Sequence, residues 1–481
     1  MNNKKQHAHT LLGLALLGGL MTTGNVQAGG FSTPTYGAPG WGRAFGGGSL
    51  FKNDPSAAYN NPAAMAFIDS TIVQQTVDYA RIKIKYSGQA YDHNGNPVTN
   101  TPVLDDQGNL GDPTLNTNNG GQGGFTAWLP TGFMVMPIGD RFAFGLSQVV
   151  PQGMKSTWNE NSKLRDFAVD TKIETIGLTG SLSFKVNDEF SVGAGAIVQR
   201  SQGNVSQNVD LLAAADVSPG LGGTGFPTGV GHSLIRVKVD NISVGWFGGV
   251  VWKPTAQDTL GVNYHAKIKN KMTGKYDVYT DAIGRNAMTN PIGPNGETLV
   301  EMAYPGLKLF PDGAHASAQL DIPATAAIDW VHQFNERWTL GVSAQWTEWS
   351  SFKDLTLKSQ GSTIVAIPYN YKNAWMTSIG GDYKATDELT LRAGVAYDQT
   401  PTRNSTRDPR IPDGDRYFLA FGAGYDIKAV PGLSVDAAYS HQFVQKVNLK
   451  TKNVDRLGGA QLDGKAESSG DVVSLSATYK F

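Results

Sequence analysis

Not one of the 481 residues is a cysteine. Disulfides and thiolate metal sites are thereby excluded, so the fold must be held by its core or by hydrogen-bond ladders. Charge is scarce too: Asp, Glu, Lys and Arg make up 17% of the chain, where roughly 25% is ordinary for a soluble domain. Neither sign dominates, the net charge being −1, and a nucleic-acid partner would demand a basic excess. Long apolar runs are missing: after residue 28 none approaches the roughly 20 residues that a membrane-spanning helix needs. Histidines past the leader are His93, His232, His265, His315, His332 and His441, and none stands in a His-Glu-x-x-His spacing or a Gly-x-Ser-x-Gly elbow. The expectation is a chain with no metal, no cofactor and no enzymatic activity.

What is present begins with a leader. Lys4 and Lys5 precede an apolar core from Leu11 to Leu20, and Val26-Gln27-Ala28 forms a small-residue cleavage box. That order of parts reads as a secretory signal peptide over residues 1–28. No cysteine follows the core, so attachment through a lipidated cysteine is excluded. An exported chain of this kind is a soluble periplasmic protein or a barrel in the outer membrane.

The C-terminal half decides between them. In ERWTLGVSAQWTEW, Trp338, Leu340, Val342, Ala344 and Trp346 share one parity, and Thr339, Gly341, Ser343, Gln345 and Thr347 the other. DELTLRAGVAYDQT, DRYFLAFGAGYDIK, GLSVDAAYSH and the final DVVSLSATYKF repeat the pattern. Alternate side chains of a strand point to opposite faces, so each segment has one apolar face and one polar or small face. A soluble sandwich would alternate likewise. Two features favour a membrane barrel: the segments reach about ten residues, as a tilted spanning strand requires, and aromatic residues gather at their ends as interfacial girdles would place them. Strand starts fall near residues 72, 125, 141, 170, 189, 236, 258, 318, 337, 371, 387, 415, 432 and 471. Short turns such as Gly139-Asp140 and Asn335-Glu336 alternate with long outward stretches at about 88–122, 209–235, 280–316, 354–369 and 399–413. The fold class expected is all-β, a transmembrane antiparallel up-and-down β-barrel of about 14 strands over residues 71–481.

Residues 29–70 precede the first strand and lack alternation. Within them GWGRAFGGGSLFKNDPSAAYNNPAAM, residues 40–65, misses the Gly-x-Gly-x-x-Gly dinucleotide spacing by one residue and follows no strand-like run. A barrel of this width is not filled by the side chains of its wall, so the stretch is available as a plug. Its glycines at 40, 42, 46, 47 and 48 permit close packing, and Asp54 or Ser56 is placed to cap a short helix running towards Met65. Trp41, Phe45, Phe51, Tyr59 and Phe67 are too many aromatics for a disordered tail.

The same stretch resembles the N-terminal hatch signature of the long-chain fatty acid transporter (FadL) family of outer-membrane proteins. It is carried here by Gly40, Gly42, Arg43, Ala44, Asp54, Asn61, Pro62 and Ala63. DIPATAAIDWVHQFNERWTLGVSAQWTEWSSF and IPDGDRYFLAFGAGYDI are similar to that family as well, and the likeness spans the mature chain. It implies a fourteen-stranded barrel in the outer membrane of a Gram-negative bacterium, corked by a hatch over residues 29–70. It also implies passive uptake of hydrophobic compounds, either fatty acids or the aromatic hydrocarbons of one family branch. In that scheme outward loops catch the cargo and a pocket at the hatch's N-terminus receives it. Gly29, Gly30 and Phe31 match the family's small-small-aromatic start. The cargo then leaves sideways near a kink in the third strand, where Pro151 and Gly153 interrupt SQVVPQGMKSTW.

The loops point to apolar cargo on their own account. Leu211, Leu212 and Val217 in one, and Leu307, Leu309 and Phe310 in another, stand on segments that should face water. Lys308 or Arg285 is placed to meet a carboxylate. The partners expected are a hydrophobic small molecule, outer-membrane lipid and lipopolysaccharide, and the barrel-assembly machinery that reads the C-terminal strand ending at Phe481; the chain itself is expected to be a monomer. Two rivals stand beside this reading. A general diffusion porin would carry opposed rings of charge, whereas the inward parity here is mostly small or polar, with Asp329, Arg337, Arg392, Arg416, Asp436 and Lys480 as charged exceptions. An outer-membrane lipid hydrolase would need a Ser–His pair assembled from distant positions, which no motif supplies.

Overall fold

A computed structural model describes residues 30–91, 95, 97, 119–160, 162–211, 231–303, 312–452 and 460–481. Among the described residues period-two alternation becomes twenty strand segments in one antiparallel sheet, and six interrupted strands reduce these to fourteen staves. They are β1 (Ile72–Tyr91), β2 (Phe125–Ile138), β3 (Phe142–Val149 and Gly153–Thr157), β4 (Asp170–Lys185), β5 (Phe190–Asp210), β6 (His232–Trp252) and β7 (Asp258–His265 and Lys271–Thr280). The second half holds β8 (Ala314–Gln319 and Thr325–Gln333), β9 (Trp338–Thr347 and Asp354–Ser359), β10 (Ser362–Pro368 and Ala374–Lys384), β11 (Leu389–Asp398), β12 (Arg416–Asp426), β13 (Leu433–Val444 and Val447–Lys452) and β14 (Gln461–Lys480). Each stave pairs with the next, and β1 pairs with β14 from Ile72↔Lys480 to Tyr91↔Gln461. The wall therefore closes, as a sheet in hydrocarbon must if its backbone is to be satisfied.

The two parities face opposite media. Leu419, Phe421, Tyr439, Val473 and Leu475 stand exposed on the outside, while their neighbours Ala420, Ser440, Ser474 and Ser476 are buried within. Trp128, Trp246, Trp338, Trp375, Tyr417 and Tyr425 are among the exposed aromatics of the outer face. Such a lipid-facing band is the sequence alternation made physical.

Four readings need correction, the last of them in the leading segment. Residues 354–369 form no outward loop: they are a hairpin of β9 and β10, turning at Gln360 and Gly361, both with positive φ. In its first arm the apolar side chains face inward, Leu355 and Leu357 being buried while Asp354 and Lys358 are exposed, the reverse of the outer apolar band. The loop at 399–413 folds inward instead of outward, burying Thr400, Thr402, Arg407, Asp408, Arg410 and Asp413. Its polar side chains satisfy one another, with Arg410 bonding Asp408 at 2.9 Å and Thr400 Oγ1 donating to Asp413 at 2.7 Å. Of the charges expected inside, Arg337 is exposed in a turn and Lys480 reaches Asp69 at 2.9 Å on the rim. That bond holds the Asp69 carboxyl below its usual range.

Ahead of β1, residues 30–68 pack against the inward faces of the staves. This leading segment contains α1 (Ala38–Gly42), α2 (Ala57–Asn60) and a 3-10 turn at Pro62–Phe67. Asp54 does not cap a helix through to Met65. Its Oδ1 accepts the Ser56 N–H at 3.0 Å, and the following turn is capped by Asn61, whose side chain accepts from the Ala63 N–H at 3.2 Å. Outside the wall's far end, α3 (Ala282–Thr289) and α4 (Leu299–Ala303) lie in the long β7–β8 connection.

Candidate functional site: a seam, a cavity and a buried ion network

The seam begins at Pro151. β2 pairs with β3 only from Ile138↔Phe142 to Gly132↔Gln148, and its upper part, Phe125–Thr131, pairs with β1 alone. Proline has no N–H to continue a ladder, and β3 resumes at Gly153 against β4 only. The edge that β2 abandons is taken by the leading segment: the Thr33 N–H donates to the Pro151 carbonyl at 2.9 Å, and the Gly153 N–H donates to the Phe31 carbonyl at 2.9 Å. A bridge between Ser32 and Gln152 completes this short substitute strand.

Arg43 is the electrostatic anchor of the segment. Its Nη2 donates to Asp54 at 3.1 Å, its Nη1 reaches Asp382 on β10 at 3.2 Å, and its guanidinium lies 3.7 Å over the Phe51 ring. Asp382 also faces Arg392 at 3.5 Å, and Arg392 bonds Asp436 at 2.7 Å. A planar fork with five donors suits this shared arrangement better than a lysine would. The chain beyond Arg43 is bent by Ala44 and Phe45, both with positive φ, and non-glycine residues hold such angles only under restraint. Glycines on the wall make room for it: a Cβ at Gly380 or Gly394 would lie about 2 Å from the Arg43 carbonyl oxygen. Further along, Asn61 Nδ2 donates to the Val250 and Val262 carbonyls at 3.4 Å each, and Ser191 Oγ donates to the Ala63 carbonyl at 2.8 Å. Pro62 and Ala63 press on the wall at Gly193, and Gly40 and Gly42 lie on α1, the latter against Gly422.

Between this segment and the wall lies a cavity of about 140 Å³. Its lining includes Ser32–Tyr36 and Tyr59 from the segment, Pro151 from the seam, and Ile197, His265, Ile268 and Trp349 from the wall. Phe31 is fully buried beside it, 4.6 Å edge-on to Trp349 and 5.5 Å from Phe352. Leu211 belongs to the same apolar cluster as Phe31. Gly30, with positive φ, is packed on Trp349, and its N–H donates to Asp413 at 3.2 Å. The structure thus brings Gly30, Phe31, Pro151 and Gly153 together beside the cavity, whereas Leu211 shares the wider apolar cluster without lining it. Gly29, Leu212, Val217, Leu307, Lys308, Leu309 and Phe310 lie outside the described residues. Arg285 donates through Nη1 to the Thr280 carbonyl and does not line the cavity.

These features invite comparison with known proteins. The family model described as outer membrane protein transport protein (OMPP1/FadL/TodX) matches residues 19–481. The chain belongs to this family. The long-chain fatty acid transport protein of Escherichia coli O6:H1 is 23% identical over 97% of this chain and 98% of its own. Outer membrane protein P1 of Haemophilus influenzae is 24% identical, covering 93% and 92%. A crystal structure of a Pseudomonas aeruginosa FadL homologue is 64% identical, covers 94% of this chain and 100% of its own, and has a TM-score of 0.87. The Ralstonia pickettii toluene transporter TbuX, at 19% identity, 93% and 98% coverage and a TM-score of 0.60, shares the fold. This FadL-family member is therefore an outer-membrane transporter of hydrophobic compounds in a Gram-negative bacterium.

Several residues of this family member were not legible as site residues. Asp382 lies 339 positions from its partner Arg43 and sits in an ordinary-looking strand. Asp78, which accepts from Trp41 Nε1 at 3.1 Å, is hidden the same way. The available signal in both was a carboxylate on the small, polar parity of a strand, where water is excluded by whatever fills the lumen.

Proposed function

We propose that this protein carries long-chain fatty acids passively into the outer membrane's interior and releases them through its own wall. Cargo is captured by the loops bearing Leu211, Leu212, Val217, Leu307, Leu309 and Phe310, and passes to a pocket formed by Gly29, Gly30 and Phe31. Residues 29–70 act as a hatch, following signal cleavage after Ala28. Release occurs at the Pro151–Gly153 kink, between β2 and β3. The observation carrying this reading is the pair of hydrogen bonds by which Phe31 and Thr33 stand in for β2. Withdrawal of that short segment would open the seam and connect the cavity to lipid in one movement. Relatives named as long-chain fatty acid transport proteins along almost the whole chain support the choice of cargo.

The chain's lack of cysteine makes the test direct. In a Ser32→Cys/Gln152→Cys double variant, oxidation should arrest fatty acid uptake by cells and reductant should restore it. Uptake that continues with the crosslink complete would sink the lateral route. Aromatic hydrocarbons are the second reading, favoured by the cavity's modest size, close to the roughly 150 Å³ of an apolar protein cavity that holds benzene. Growth of a deletion strain on oleate against toluene, each restored by the plasmid-borne gene, separates the two. Lipopolysaccharide around the outer face, assembly through the strand ending at Phe481, and a monomeric state complete the proposal.

A further inference from the structure

The cavity's polar lining carries a chemical preference. Among the described residues around it there is no lysine and no arginine, while Asp329 and Asp398 both line it. Asp329 is buried, accepts from Asn263 Nδ2 at 3.2 Å and Ser343 Oγ at 2.5 Å, and has no cation beside it. Asp398 faces Arg416 at 3.8 Å, a guanidinium that also bonds Asp413. The inward cations nearest the leading segment, Arg43 and Arg392, are already committed to Asp54, Asp382 and Asp436. The other titratable groups lining the cavity are Tyr36, Tyr59 and His265. His265 Nε2 lies 3.4 Å from the Asn60 carbonyl, which can only accept, and its ring stacks on Phe247. What remains is neutral and partly unpaired: Gln199 lines the cavity, is almost wholly buried, and its Oε1 has no hydrogen-bond partner.

An ionised carboxylate moved from water into such a site loses its hydration and meets Asp329, which has no described cation beside it, and Asp398, whose charge is already matched by Arg416. Burial of an unpaired charge is strongly unfavourable, whereas a hydroxyl needs only an acceptor. We infer that the cavity admits cargo only in uncharged form: a fatty acid as its protonated acid, or a fatty alcohol in the same place, with the hydroxyl donating to an acceptor such as Gln199 Oε1. The acid takes its proton from water before it enters. This holds on the proposal above that cargo occupies the cavity.

Equilibrium binding of radiolabelled oleic acid and oleyl alcohol to the full-length protein in detergent, at pH 6 and pH 9, tests it. The alcohol should bind equally at both values, and the acid should weaken by about tenfold or more at pH 9. Gln345→Lys places a cation in the lining and should restore acid binding at pH 9; Ser378→Lys offers the same cation from a neighbouring stave should the first variant fail to fold. Acid binding as tight as alcohol binding at pH 9, in the unaltered protein, would overturn the inference while leaving the transport proposal intact. Binding of neither probe at either pH would overturn the fatty-cargo reading itself, and the inference with it.

Discussion

Arg43 shows how much one side chain can decide. It is almost completely buried, bonded to one carboxylate of its own segment and one of the wall, and stacked on a ring. Removing one partner of a buried ion pair leaves the others uncompensated, at about 3–5 kcal/mol. Arg43→Ala is therefore expected to loosen the leading segment without unfolding the barrel, which limited proteolysis near residue 50 together with heat-modified gel mobility would reveal. Arg43→Lys should recover only part of the effect, because a point charge cannot serve Asp54 and Asp382 in two directions. Gly394 supplies the second prediction. Its Cβ as alanine would collide with the Arg43 carbonyl oxygen, and the clash is with backbone, which cannot swing away. Gly394→Ala should displace the segment and give ion conductance in planar bilayers where the parent gives little. Arg43 and Asp54 were legible because they sit eleven positions apart in one motif. Asp382 was not, since nothing in a single sequence says which inward carboxylate of a strand will meet a residue hundreds of positions earlier.

Elements differed in legibility for a physical reason. Staves inside the apolar band have two media to tell apart, so alternation marked all of them. Stave ends that rise beyond the band have water or protein on both sides, and there β10 and β14 began about ten residues earlier than their patterns suggested. The inward fold of residues 399–413 was hidden because a loop whose charges pair with each other has the same composition as one bathed in solvent. The kink in β3 was legible, since proline's missing donor is a local fact. Its consequence, that the leading segment takes the vacated edge, was not. Pro151→Val tests that arrangement: it returns an N–H to the edge facing Thr33 and should tighten the seam. Fatty acid uptake is expected to fall severalfold with barrel assembly unchanged, and an increase would count against the seam as the exit.

For the molecule as a whole, closure and occlusion are separate properties. The β1–β14 ladder runs the full length of both staves without using the leading segment. Deleting residues 29–41 should then leave a folded, heat-modifiable barrel that no longer takes up fatty acid, and unchanged uptake would refute the pocket at Phe31. Stability without disulfides follows from the same ladder, so reducing agents should not lower the unfolding temperature. The borrowed edge at β3 has one more consequence. Once Phe31 and Thr33 draw back, a carbonyl and an amide of β3 look onto hydrocarbon, where each lone backbone group costs several kcal/mol. A passing acyl chain has nothing to offer either of them. On the proposed lateral route, openings would accordingly be infrequent and brief, and flux would level off once every interval finds a molecule waiting.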